Sequence, residues 1–262
     1  MTEFALNVTG TLGGMATGPD GALWFTEQDN NQVGRITTSG HVTEFPLLTD
    51  SSMPIGIVAG PDGALWFTES VANEFGASQI GRITTSGQVT EFPLPNALSG
   101  TLSGLSDIVA GPDGALWFNG TDGIGRITTS GQVAEHLLPT IQSRPAGLAV
   151  GSDGTLWFTE AGTNKIGRIT TSGQVTEFPL PAPLIGPSGQ SGLGSIAAGP
   201  DGAVWFTASE TNQIGRITTS GQVTEFPVPT PQSGVGDIVA GPDGALWFTE
   251  DAVHQIGRIT SG

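Results

Sequence analysis

Short runs of alternating hydrophobic and polar residues recur along the chain, separated by turns rich in glycine, proline and serine. Around Trp205, the small residues 194–198 predict an innermost strand, and Ala203–Thr207 predicts a second strand with two distinct faces. Gln213–Thr218 predicts a third strand, and Val223–Val228 predicts an outer strand whose proline suits a free edge. This pattern predicts one small antiparallel sheet of four strands.

The same four-strand pattern occurs six times, and each copy carries one of the six tryptophans, which are Trp24, Trp66, Trp117, Trp157, Trp205 and Trp247. Successive tryptophans are 42, 51, 40, 48 and 42 residues apart. A period near this length with four strands per repeat is typical of a β-propeller. We expect an all-β fold, a six-bladed β-propeller with four antiparallel strands per blade, in which residues 1–262 form a single domain. The tryptophans are then core residues between blades.

The two ends of the chain together supply one outer strand. The sequence ends after Arg258 at the point where an outer strand would begin, and Thr2-Glu3-Phe4 matches the start of that strand. We therefore expect the N-terminal strand to complete the last blade and close the ring, with Glu3 facing Arg258.

The constant Ser-Gly turn before each outer strand predicts the register of the outer hairpin, which joins the third strand of a blade to its outer strand. If Ser220-Gly221 is a two-residue loop, residues whose numbers sum to 441 face each other, which places Arg216 opposite Glu225. The same rule pairs Arg35 with Glu44, Arg82 with Glu91, Arg126 with Glu135, and Arg168 with Glu177. Six of the eight basic residues are thus expected in cross-strand ion pairs.

Variation in length is confined to two kinds of connection, outer strand to next inner strand and second strand to third strand. The longest examples are residues 70–78, 95–103 and 182–190. In an up-and-down blade both kinds lie on one side, which we call the loop face, opposite the constant turns. Variable loops on a rigid scaffold are typical of a binding site, and drift at permissive loops explains them equally well.

Carboxylates occupy two repeat positions on the predicted loop face. The second strand ends in glutamate in four blades, at Glu27, Glu69, Glu160 and Glu250, and in Gly120 and Ala208 in the third and fifth. These glutamates are candidate ligand-binding residues, and their oxygens suit a divalent cation, Mg²⁺ or Ca²⁺. Asp107 and Asp237 begin the inner strands of blades three and six, on opposite sides of the expected ring, and are weaker metal candidates. Local pairing or loop capping is the simpler explanation for all six.

The repeat Gly-Pro-Asp-Gly-Ala-Leu-Trp-Phe-Thr-Glu, continued by Ile-Gly-Arg-Ile-Thr and Val-Thr-Glu-Phe-Pro, resembles that of the virginiamycin B lyase (streptogramin lyase) family. The resemblance implies a propeller. It also implies magnesium-dependent elimination that opens a cyclic depsipeptide, at a site with a tyrosine, histidines and metal-binding glutamates. In that family the site lies near the centre of one face of a seven-bladed ring. This sequence has six blades, no tyrosine and three histidines.

The histidines differ in their expected places. His41 lies in a constant turn, His136 replaces the outer-strand phenylalanine, and only His254 falls on the loop face. His254 and Glu250, with Asp251 beside them, are weak candidates for a catalytic base and metal ligands. His254 is also a candidate ligand-binding residue, together with the four glutamates. A solvated loop histidine is the simpler alternative.

Charge and composition exclude several partners. The formal net charge is −16, from 8 basic and 24 acidic residues, which argues against nucleic acid and anionic membranes. The chain has no cysteine, no apolar run long enough to span a membrane and no start resembling a signal peptide. We expect a monomer whose partner is a small molecule or peptide. The sequence does not indicate a cellular compartment.

The leading functional expectation is a rigid, non-enzymatic scaffold that binds a small molecule, a peptide or a cation on the loop face. The alternative is a magnesium-dependent C–O lyase acting on a cyclic depsipeptide such as virginiamycin B. The near identity of the repeats fits recent duplication and deliberate consensus design equally well.

Overall fold

The computed structural model describes residues 4, 6, 10–70, 78–95, 100–184, 186, 189 and 192–260. The described chain is built from β-strands, with single 3₁₀ turns at Ala182–Leu184, Ser209–Thr211 and Asp251–Val253. Within these residues, no helix has the length and apolar character needed to cross a bilayer. The chain divides into two compact units, Met1–Leu137 and Leu138–Gly262, with three sheets in each.

The first unit contains blades 1 to 3. Their strands are β1 (Leu12–Thr17), β2 (Leu23–Glu27), β3 (Gln32–Ile36) and β4 (Val42–Pro46); β5 (Pro54–Ala59), β6 (Leu65–Glu69), β7 (Gln79–Ile83) and β8 (Val89–Pro93); and β9 (Ile108–Ala110), β10 (Leu116–Asn119), β11 (Gly123–Ile127) and β12 (Val133–Leu137). In each blade the strands pair antiparallel in sequence order.

The second unit contains blades 4 to 6. Their strands are β13 (Pro145–Val150), β14 (Leu156–Glu160), β15 (Lys165–Ile169) and β16 (Val175–Pro179); β17 (Leu193–Ala198), β18 (Val204–Ala208), β19 (Gln213–Ile217) and β20 (Val223–Pro227); and β21 (Val235–Ala240), β22 (Leu246–Glu250) and β23 (Gln255–Ile259). Blade 6 has three strands among the described residues. The predicted closing strand falls on Thr2 and Glu3, which lie outside them.

The six sheets confirm the predicted class, an all-β fold of six propeller blades. Within each unit the inner strands of neighbouring blades pack against each other, as β5 does on β1 and β17 on β13. The long loops at residues 70–78, 95–103 and 182–190 each include positions outside the described part of the chain.

Tryptophans form the contacts between neighbouring blades, as predicted. In the first unit, Trp24 and Val33 of blade 1 share a buried cluster with Ile57, Leu65 and Phe67 of blade 2. In the second unit, Trp205 of blade 5 packs in the same way into a cluster from blade 6. Apolar burial of this kind is the main stabilising contribution to each blade interface.

The predicted register of the outer hairpin is wrong by one residue. Arg216 lies opposite Thr224, and Glu225 lies opposite Gly215. The Thr218 N–H donates to the Gln222 carbonyl over 3.0 Å, so the loop has three residues instead of two. A shift of one residue sends a side chain to the other face of the sheet.

The arginines therefore pair with different carboxylates from those expected. Arg216 Nε lies 2.5 Å from Asp201 Oδ2, in the Gly-Pro-Asp-Gly turn of the same blade. The equivalent pairs are Arg35–Asp20, Arg82–Asp62, Arg126–Asp113, Arg168–Asp153 and Arg258–Asp243. The outer-strand glutamates are therefore not the partners of these arginines.

Candidate functional site

The four glutamates that end the second strands are buried. Their exposed fractions are 2% for Glu27, 0% for Glu69 and Glu160, and 5% for Glu250. In each of them one carboxylate oxygen is buried without a hydrogen-bond partner. Two of these glutamates lie in each unit, and all four are shielded from open solvent.

The glycine of the third strand makes room for the buried carboxylate in blades 1 and 2. In blade 2, a Cβ atom on Gly81 would lie 2.0 Å from the Phe67 ring and 2.6 Å from the Glu69 carboxylate. Gly81 faces Glu91 across the outer hairpin, which brings Glu91 to the same side of the sheet. The Ile-Gly-Arg motif thus creates a pocket that the glutamate fills.

Glu69 is the most strongly perturbed of these groups. Gln79 Nε2 donates to Glu69 Oε2 over 3.0 Å and to Glu91 Oε2 over 3.2 Å. Burial, with the charge of Glu91, raises the pKa of Glu69 to about 7 against the lowering effect of the hydrogen bonds from Ser52 and Gln79. Glu69 is thus a protonatable group near neutral pH within an enclosed polar network.

Blade 4 places a lysine where blade 2 has Gln79. Lys165 Nζ lies 2.5 Å from Glu177 Oε2 and also donates to Thr140 Oγ1. Burial, with the charge of Glu177, raises the pKa of Glu160, whereas the hydrogen bond from Lys165 helps to lower the pKa of Glu177 against its own burial. A built-in cation thus pairs with the outer-strand carboxylate of this blade.

The two candidate aspartates lie in different units, and each makes hydrogen bonds within its own blade. The Asp107 backbone N–H donates to Asn119 Oδ1 over 2.7 Å, and Asp107 Oδ1 accepts from the Ile108 N–H over 2.8 Å. Asp237 is exposed, and its N–H donates to Thr249 Oγ1 over 3.0 Å.

The three histidines occupy three distinct environments. His41 is exposed in a constant turn, and the His136 ring stacks on Trp117 at a centroid distance of 5.3 Å. His254 is exposed and follows the 3₁₀ turn after Glu250, with a left-handed φ of 57°. The equivalent left-handed residues in blades 1, 4 and 5 are Asn31, Asn164 and Asn212. A histidine thus replaces an asparagine at a turn position of the loop face.

A magnesium site of the kind that the family resemblance implies needs several converging oxygen or nitrogen ligands. Across the described residues, no group of three or more His, Asp or Glu side chains is placed to hold a metal ion.

Sequence reasoning missed Arg144, which precedes β13 on the loop face. Its side chain is exposed, and its backbone φ is 47°. The signal lay in the repeat itself, because Gly192 and Gly234 occupy the equivalent position in blades 5 and 6.

Comparison with known proteins places the fold and the repeat in one family. The Virginiamycin B lyase family matches residues 1–189 and 186–262, so the chain belongs to that family. The structure of selenomethionine-substituted virginiamycin B lyase from Staphylococcus aureus is 42% identical, with a TM-score of 0.85 over 95% of this chain and 81% of that one.

Two further relatives bear on function. A catalytically inactive histidine-to-alanine variant of virginiamycin B lyase from Staphylococcus aureus, with quinupristin, is 40% identical and has a TM-score of 0.82 over 96% of this chain and 81% of that one. Virginiamycin B lyase from Bordetella pertussis is 43% identical over 58 residues, which is 22% of this chain. The match spans 19% of that curated relative.

Proposed function

We propose that this protein is a small-molecule-binding member of the virginiamycin B lyase family that holds a cyclic depsipeptide of the streptogramin type on its loop face. The observation that carries the proposal is the likeness to the Staphylococcus aureus lyase with quinupristin, at 40% identity over 96% of this chain. Variable loops on repeated blades supply the surface, as is usual for ligand sites on rigid scaffolds.

Binding without elimination accounts best for the polar groups of the described blades. The chain has no tyrosine, and the second-strand glutamates are buried. Elimination requires a base that reaches the proton to be removed, together with stabilisation of the departing carboxylate. Glutamates with exposed fractions of 5% or less are poorly placed to reach a ligand on the loop face.

Calorimetry with virginiamycin B tests the proposal directly. We expect saturable 1:1 binding in the absence and in the presence of magnesium, with the ligand recovered unchanged by liquid chromatography. Failure to bind in both conditions would refute the proposal. An open-ring product of unchanged mass would indicate elimination, and a product heavier by one water would indicate hydrolysis.

A C–O lyase is the second candidate, and His254 is the observation that favours it. This histidine is exposed on the loop face immediately after the turn that follows Glu250. For this candidate, ring opening should depend on magnesium and disappear in His254→Ala. His41→Ala is the matched control, because His41 is an exposed histidine in a constant turn away from that face. Equal turnover by both variants would show that His254 takes no part in the reaction.

A further inference from the structure

Arg144 differs from every other basic residue of the chain. All eight lysines and arginines lie in the described part, and seven of them form ion pairs with Asp or Glu. Arg144 is exposed and makes none of these pairs. In a chain of net charge −16, an uncompensated guanidinium marks a local exception to the acidic surface.

Its backbone conformation is held by the fold of blade 4. The Arg144 carbonyl accepts from the Ala161 N–H over 3.2 Å, and the Ser143 carbonyl accepts from the Gly162 N–H over 2.9 Å. Gly192 and Gly234 make the same kind of bond in blades 5 and 6, to Ser209 and Asp251. In blades 2, 4, 5 and 6 the residue before the inner strand makes such a bond and lies in the left-handed region.

A side chain at this position carries a conformational cost. The φ values are 47° for Arg144 and 48° for Met53, against 63° and 66° for Gly192 and Gly234. The left-handed region costs a residue with a Cβ atom about 1 kcal/mol relative to the right-handed one. Such strain persists mainly where the surrounding structure enforces it, and it is concentrated at functional positions.

The guanidinium group of Arg144 favours a carboxylate as its ligand. Its planar array of N–H donors matches a carboxylate in a two-point contact, and such charge-assisted bonds are the stronger kind. We propose that Arg144 binds a carboxylate group of the small-molecule ligand on the loop face, and that the protein prefers the ring-opened depsipeptide, which exposes a carboxylate, over the closed ring. This inference rests on the proposed function for the identity of the ligand.

Two glycine substitutions separate binding from strain. Arg144→Gly removes the cation and the strain together, whereas Met53→Gly removes strain at the same repeat position in blade 2. Because glycine is native at this position in other blades, both variants should fold, with thermal midpoints equal to or above that of the parent. Circular dichroism checks the fold, and calorimetry measures binding of virginiamycin B and of its linear, ring-opened form.

We expect the parent and Met53→Gly to bind the linear form at least about tenfold more tightly than the cyclic form, as befits a bond to a charged group. Arg144→Gly should lose that preference and keep its affinity for the cyclic form, and Arg144→Lys should retain part of it. Equal affinity of the parent and Arg144→Gly for the linear form overturns the inference and leaves the proposed function intact. Absence of binding of either form to the parent overturns both.

Discussion

The indole nitrogen of Trp66 donates a hydrogen bond to Asp62 Oδ1 over 2.9 Å. The other oxygen of Asp62 accepts from Arg82 Nε over 2.7 Å, and the guanidinium of Arg82 lies 5.9 Å from the centroid of the Trp66 ring. Burial raises the pKa of Asp62, and the hydrogen bonds from Trp66 and Arg82 outweigh it, so the pKa lies below its usual value. One turn aspartate thus satisfies a buried donor and orients an arginine.

Asp62→Ala should destabilise the protein by about 1 to 3 kcal/mol, because it leaves the N–H of a fully buried tryptophan without a partner. Urea denaturation followed by circular dichroism measures the loss. Asp243→Ala is the matched control, since Asp243 makes the same contacts to Trp247 and Arg258 at a more exposed place. A loss as large for Asp243 as for Asp62 would contradict the explanation by burial.

The raised pKa of Glu69 predicts an unusual dependence of stability on pH. Its pKa is about 7 in the folded chain and 4.5 in the unfolded reference, so the folded state binds more protons between these values. The contribution of Glu69 to the free energy of unfolding should therefore fall as pH rises from about 4.5 to 7, by about 3 kcal/mol in total, and stay level outside that window.

Glu69→Gln should remove this slope, because a neutral amide replaces the protonated carboxyl group. Denaturant titrations at pH 5 and pH 8 measure it in the parent and in the variant. Glu210→Gln is the control, since Glu210 is exposed and should leave the slope unchanged. A parent slope that survives in Glu69→Gln would assign the effect to other groups.

Lys165 of blade 4 suggests a complementary substitution at Gln79 of blade 2. Gln79→Lys should place an ammonium group between Glu69 and Glu91, as Lys165 does beside Glu177. The cation should favour the ionised form of Glu69 and flatten the stability profile between pH 5 and pH 8. Lys165→Gln is the reciprocal variant, and its profile should steepen. Denaturant titrations report both, and unchanged profiles would refute the proposed role of the cation.

The blades could be predicted from the sequence because the pattern of strands and turns lies within one repeat and recurs six times. The register of the outer hairpin could not, because Ser220-Gly221 fits loops of two and of three residues, and only the bond from Thr218 to Gln222 decides between them. The candidate glutamates were correctly placed at strand ends, but their burial depends on the space above a glycine on the next strand. The repeat aligns Arg144 with glycines, but its left-handed conformation is visible only in the structure, where its carbonyl accepts from the Ala161 N–H.

His136 allows a test of how much the aromatic residue of the outer strand contributes to stability. In blades 1, 2, 4 and 5 a phenylalanine stacks on the blade tryptophan, whereas His136 stacks on Trp117 with its Nε2 atom buried and unpaired. Burial, helped by the charge of Arg126, lowers the pKa of His136. His136→Phe should therefore stabilise the protein by about 1 kcal/mol, through better stacking and relief of an unsatisfied polar atom.

The advantage of His136→Phe should grow as pH falls. Because the pKa of His136 is lowered in the folded chain, the unfolded chain binds more protons just below pH 6.5, and the parent loses stability there as pH decreases. Phenylalanine cannot titrate, so the difference in free energy of unfolding between variant and parent should be larger at pH 5.5 than at pH 8. His41→Phe, at an exposed turn, is the control and should show no such difference. A constant gap between His136→Phe and the parent across this range would show that His136 titrates equally in both states.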